Sequence, residues 1–198
     1  MSLAHYLSMG SFALAASISP GPVNIVALTT GLRHGFRASV GHVTGATVGF
    51  TALLLLSGLG LAELLLQWPG VTRIIGAAGV AFLIYLAWNL WRDDGRISDG
   101  KVRRPPSLLS GAVQQWLNPK AWIAAIAGMG AFGMGGGTAR IWLFSALYFV
   151  VCYASIAAWA YAGARLRHYL DDAGRMRAFN RAMAALVALS ALYLAFES

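Results

Sequence analysis

Six apolar segments divide this chain, each long enough to cross a bilayer, with short polar gaps between them. They run over about 9–32, 40–62, 72–91, 108–132, 140–163 and 178–196, against the roughly 20 residues that a spanning helix needs. In hydrocarbon every backbone N–H and C=O has to be paired within the protein, so runs of this length fold as helices. Composition agrees: 11% of the residues are charged, whereas soluble domains carry about 25%. With a mean hydropathy of +0.63, a chain of 198 residues cannot enclose its apolar surface in one water-soluble core. The expected class is an all-α integral membrane protein, a single transmembrane domain over 1–198.

A net charge of +8 invites a nucleic-acid reading, but the positions of the charges oppose it. Of 15 Lys and Arg, two lie at 33–37, five at 92–104 and five at 165–181, all in polar gaps. This is the positive-inside pattern, which sets orientation and needs no nucleic-acid partner. It places the gaps after spans one, three and five in the cytoplasm and both termini in the periplasm or outside. Trp68, Trp88, Trp91 and Trp142 fall at segment ends, as an interfacial belt requires; Trp116, Trp122 and Trp159 lie deeper, where packing is the default. The first segment has no basic residue before it and no convincing cleavage site after it, so it reads as a retained span.

The longest polar stretch, RDDGRISDGKVRRPPS at 92–107, falls at the midpoint, with three segments on either side. Three is odd, so the second half enters the membrane from the opposite side. That is the arithmetic of two inverted three-helix repeats, about 1–91 and 108–198, joined by a cytoplasmic loop.

Each half also carries a break. The first span contains ISPGPVNI (18–25) and the fourth QQWLNPKAW (114–122). Proline in a helix interior removes a hydrogen bond and clashes with the preceding turn, at about 3 kcal/mol or more. Pro20 and Pro119 are separated by half the chain length, as are Ser11 and Ser110, Ala13 and Ala112, and Gly31 and Gly130. A corresponding pair of interrupted segments is the best sequence pointer to a transport site. Helices 1 and 4 are therefore expected to be broken at mid-depth. Half-helix N–H groups there favour a carboxylate and freed carbonyls an ammonium, both of which a zwitterionic amino acid presents. Asn118 and Lys120 belong in the protein interior, since a cation at the centre of a lipid-facing helix costs about 2.5–3.5 kcal/mol.

SPGPVN, GLRHGFRASVGHVTGATVG and LNPKAW together resemble the LysE/RhtB family of bacterial amino-acid exporters, and the resemblance runs over essentially the whole chain. HGFR and NPKAW are most similar to its exporters of cysteine, O-acetylserine and related small neutral amino acids. The resemblance implies an inner-membrane secondary transporter working by alternating access, with no cofactor and no enzymatic activity. Pro20, Gly21, Pro22 and Asn24 match one family motif, and Asn118, Pro119 and Lys120 the other; these are the expected substrate-binding residues. Homoserine and threonine fall in the same substrate class. Two departures matter. Many members have an acidic residue after the second-span glycine, where this chain has Ala46 after Gly45; many follow NPK with an aromatic-rich run ending in Pro-Gln, where it has IAAIAGMGAFG.

No acidic residue falls at a segment centre, so proton coupling rests on other groups. His42, at the start of the second span, titrates near neutral pH when unperturbed and is the coupling candidate, with an ordinary interfacial histidine as the plainer reading. Gly41, Gly45 and Gly49 form a small-residue face for close helix packing, and GMGAFGMGGG (128–137) is either a hinge or a loop. Two rivals stay open. A metal-ion or other small-solute exporter would need clustered ligands, but His5, His34, His42 and His168 are scattered. A membrane thiol-redox protein would need paired cysteines, but Cys152 is the only one. The expected partners are a small-molecule substrate and the bilayer; a homo-oligomer is compatible with both.

Overall fold

The computed structural model describes residues 1–61, 63–64, 67–95, 105–133, 137–170 and 172–197, and every regular element among them is helical. In chain order these are α1 (Leu3–Ile18), α2 (Pro22–His34), α3 (Phe36–Leu56), α4 (Pro69–Trp91), α5 (Leu108–Trp116), α6 (Pro119–Gly128), α7 (Gly137–Leu166) and α8 (Ala173–Glu197). Wider π-helical turns, Ser57–Leu61 and Met129–Gly133, extend α3 and α6.

The first expected span is α1 and α2 together, bent by 62° at their junction. Three helical stretches are long and apolar enough to cross a membrane, Phe36–Leu61, Arg73–Trp91 and Gly137–Leu166, and the bent pair raises the number to four among the described residues. The expected fourth span is the interrupted pair α5 and α6, and the sixth lies within α8; neither is in that set. Most of the expected cytoplasmic loop, 96–104, and part of the glycine-rich stretch, 134–136, lie outside the described residues.

Large apolar side chains face outward on several helices, among them Ile74, Ile84, Leu109, Val150 and Leu189, as do Trp68, Trp88, Trp91 and Trp142. Such a surface suits hydrocarbon and not water. Inside, α7 is the central post. Phe12 of α1, Phe50 of α3, and Phe144 and Tyr148 of α7 form one aromatic cluster. α4 and α8 pair to one side through Leu83, Ala87, Val187 and Ala191, with Ile25 of α2 against them.

Two helix crossings are close enough to need glycine. A Cβ on Gly31 would collide with the Ala160 carbonyl of α7, and one on Gly163 with the Leu28 carbonyl of α2. Likewise Gly45 lies against the Leu108 carbonyl of α5, Gly49 within 2.7 Å (from its would-be Cβ) of the Ala112 Cα, and Gly111 against the His42 carbonyl. Gly41 is different: a Cβ there would meet nothing closer than the Leu108 nitrogen at 3.8 Å, an ordinary contact. Gly35 joins α2 to α3 as a one-residue turn at φ 82°, a conformation other residues enter only at a cost.

At one end of the bundle the polar gaps meet. Asp93, just past α4, pairs with Arg33 of α2 and accepts hydrogen bonds from buried Asn180 of α8 at 2.9 Å and from Gly95 N–H at 2.9 Å. Arg92 and Arg181 stack over Trp88 and Trp91 beside it.

Candidate substrate site between two broken helices

Proline has no N–H, so Pro20 and Pro22 deprive the carbonyls of Ala16 and Ile18 of their helical donors. In an apolar surrounding each orphan carbonyl would cost several kcal/mol. The chain supplies other donors to all of them. The Ser19 hydroxyl donates to Ala16 O at 3.2 Å, and the Trp159 indole N–H of α7 donates to Ile18 O at 3.0 Å. The Asn24 amide bridges the break, giving one N–H to Ser17 O at 2.8 Å and one to Ser19 O at 2.9 Å. Lys120 Nζ, from α6, donates to Ser19 O at 2.9 Å, to the Ser19 hydroxyl at 2.7 Å and to Pro20 O at 3.3 Å.

The second break repeats the device. α5 stops at Trp116 and α6 starts with Pro119 as its first residue. The freed Trp116 carbonyl accepts the Trp122 indole N–H at 2.8 Å. Buried Asn118 donates to Gln115 Oε1 at 3.3 Å, while its own Oδ1 has no hydrogen-bond partner. Pro22 opens α2 as Pro119 opens α6, so the structural counterpart of Pro119 is Pro22 and not Pro20. The register read from the half-length is therefore off by two residues: the helix restarts after the PGP run, where a first-turn proline lacks an N–H that would be free anyway.

The two breaks meet at one cavity, lined by Ser17, Gly21, Val23 and Asn24 from the first, Gln115, Asn118, Lys120 and Ala121 from the second, and Tyr148, Cys152 and Ile156 from α7. Neither α2 nor α6 has a side-chain cap at its N-terminus, so the positive ends of both half-helices face this space. The negative end of α1 stands beside it, where the Ser19 and Pro20 carbonyls hold Lys120 of the chamber lining. Hydrogen bonds to a charged group are each worth about 1.5–3 kcal/mol, enough to hold a half-buried ammonium against its roughly 2.5–3.5 kcal/mol insertion cost. The result is a small, largely apolar chamber in which a few polar groups, Asn24, Gln115, Asn118 and Lys120, converge.

Of the residues expected to bind substrate, Gly21, Asn24, Asn118 and Lys120 line this chamber. Pro22 is buried at the start of α2 and Pro20 is exposed on the outer side of the break. His42 lies behind the chamber, fully buried rather than at a surface; its Nε2 is 3.4 Å from the Val23 carbonyl and its Nδ1 has no partner. Ser19, Trp122 and Trp159 were not expected. Depth alone suggests packing for Trp122 and Trp159, with a substrate wall as the minority reading; in the structure each donates to a carbonyl freed at a break.

Comparison with known proteins covers the same ground. Residues 14–198 match the LysE type translocator family. The cysteine/O-acetylserine efflux protein of Escherichia coli K12 is 26% identical over 168 residues, 83% of this chain and 85% of its own length. The Shigella sonnei Ss046 protein of the same description shows the same identity and coverage. No solved structure gives a significant match. With the family match spanning both breaks and the chamber between them, the chain belongs to the LysE type translocator family.

Proposed function

We propose that this protein is a secondary transporter that exports a small, neutral amino acid or close derivative across the bacterial inner membrane. Cysteine, O-acetylserine, homoserine and threonine define the class, and the efflux relatives point to its first two members. The observation that carries this reading is the chamber itself: two half-helix N-termini and Lys120 suit a carboxylate, and the α1 carbonyl end with Asn118 Oδ1 suits an ammonium. The six spans form two inverted three-helix repeats that rock about this site. Packing supports it through the pairs that an exchange of halves would preserve: α1 lies along α7 as α5 lies along α3, α3 meets α7 and α4 meets α8, while α2 packs far more extensively on α7 than α6 does on α3. Arg33, Asp93 and Asn180 put the ends of spans one and three beside the start of span six, consistent with one cytoplasmic face and periplasmic termini. His42, one carbonyl away from the chamber, is the group that couples transport to protons.

The test is efflux from cells loaded with a panel of labelled amino acids, with and without this protein. Accelerated loss of at least one small neutral member is expected; no acceleration for any member would refute the proposal.

A further inference from the structure

Lys120 stands between two spaces. On its inner side is the chamber, a cavity of only about 40 Å³ whose far wall carries Cys152. On its outer side Lys120 and Gly21 line a groove of about 450 Å³ that runs past Pro20 and Ile25 to Leu186, Leu189 and Ser190 of α8. The chamber's volume is little more than the roughly 30 Å³ of one water, so the chamber alone holds water and not an amino acid. The groove has the room but almost no polar group. Between the two lies the lysine side chain, which lines both spaces with Gly21 and is laid across that glycine's missing side chain, the would-be Cβ being 3.4 Å from Nζ. Its ammonium is pinned by Ser19 O, Ser19 Oγ and Pro20 O, three acceptors for three N–H donors.

We propose that Lys120 is a tethered stand-in for the substrate's ammonium group. In this closed form the lysine fills the ammonium site itself. A substrate amine entering from the groove takes over the three oxygens, and Lys120 swings onto the substrate carboxylate, which joins chamber and groove into one site. The exchange leaves neither an empty acceptor set nor an unpaired cation at depth, the costly alternatives in a bilayer. It also defines the ligand: an ammonium and a carboxylate on one carbon, with a small side chain. N-acylated or amidated analogues lack one half of the swap and leave the partition shut. The ligand's identity rests on the exporter reading above; the latch does not.

Because Cys152 is the only cysteine and lies 3% exposed on the chamber wall, its alkylation reports the partition without any transport assay. The purified protein in detergent is treated with N-ethylmaleimide, with Cys152→Ser as the unreactive baseline. Loss of the ammonium in Lys120→Ala should speed labelling by roughly tenfold, as expected when the contacts favouring the closed form are removed. Millimolar methylammonium should restore protection in that variant, whereas tetramethylammonium, a cation without N–H groups, should not. Ser19→Ala removes one acceptor and leaves Lys120 intact, so it should give a smaller increase and covers the case in which Lys120→Ala misfolds. Labelling at the wild-type rate in both variants, or equal protection by the two cations, overturns the latch. Labelling that follows the expected order in a protein that exports no amino acid would sustain the latch and refute the exporter reading.

Discussion

Five consecutive carbonyls, from Ala16 to Pro20, accept a hydrogen bond from a side chain in place of a helical N–H. This substitution is what lets a membrane helix break without leaving bare polar groups. Asn24 serves two of them, so Asn24→Ala should cost more than loss of a donor that serves one, such as the Trp159 indole. Ser19 O keeps Lys120 but Ser17 O loses its donor; leaving a buried acceptor unpaired costs about 1–3 kcal/mol, and the variant should show a clearly lower unfolding temperature in detergent. Trp159→Phe removes only the donor to Ile18 O, and about 1 kcal/mol is expected. If the two unfold alike, Asn24 does not staple the break. His42 invites a different measurement. Replacing it with Asn should flatten the dependence of efflux on external pH while transport at its optimum persists; an unchanged pH profile would remove it from coupling.

Among elements, the close crossings of α2 with α7 and of α3 with α5 bind each half of the chain to the other. A methyl group at Gly31, Gly45 or Gly163 would meet a carbonyl of the facing helix, and overpacking of that kind costs about 1–3 kcal/mol or more. Alanine at these positions should reduce the yield of folded protein, whereas Gly41→Ala should be silent. Equal tolerance at all four would mean that the helices separate freely. The small-residue face in the sequence announced close packing but not which glycine is in contact, since that depends on where α5 crosses. The breaks were legible because a missing N–H belongs to proline itself. Their repair was not: Trp159 reaches Ile18 across 141 positions, and only the fold brings them together. The half-length offset pairs Pro119 with Pro20, whereas the proline that opens a helix after the first break, as Pro119 does after the second, is Pro22. His42 looks interfacial by position, yet its ring is buried with Nε2 against the Val23 carbonyl of α2, a neighbour that only the fold supplies.

At the scale of the whole molecule, two tethers join the halves: Lys120 with Ser19 at the breaks, and Asp93 with Arg33 and Asn180 at one end. The alternating access proposed above releases both in turn. Arg33 and Asp93 are 30% and 20% exposed; asparagine at 93 keeps an acceptor for Asn180 and Gly95 N–H while dropping the charge, so Asp93→Asn should alter transport rate more than stability, read as a changed efflux rate at a near-constant unfolding temperature. The central claim is that an amino acid binds between the two breaks. Counterflow of labelled small neutral amino acids in proteoliposomes tests it most directly, comparing wild type with Asn118→Ala and Lys120→Ala variants that elute as folded, monodisperse protein. Exchange of at least one amino acid by the wild type, reduced roughly tenfold or more in both variants, is the expected result for lost charge-assisted contacts. Undiminished exchange in either variant would contradict it.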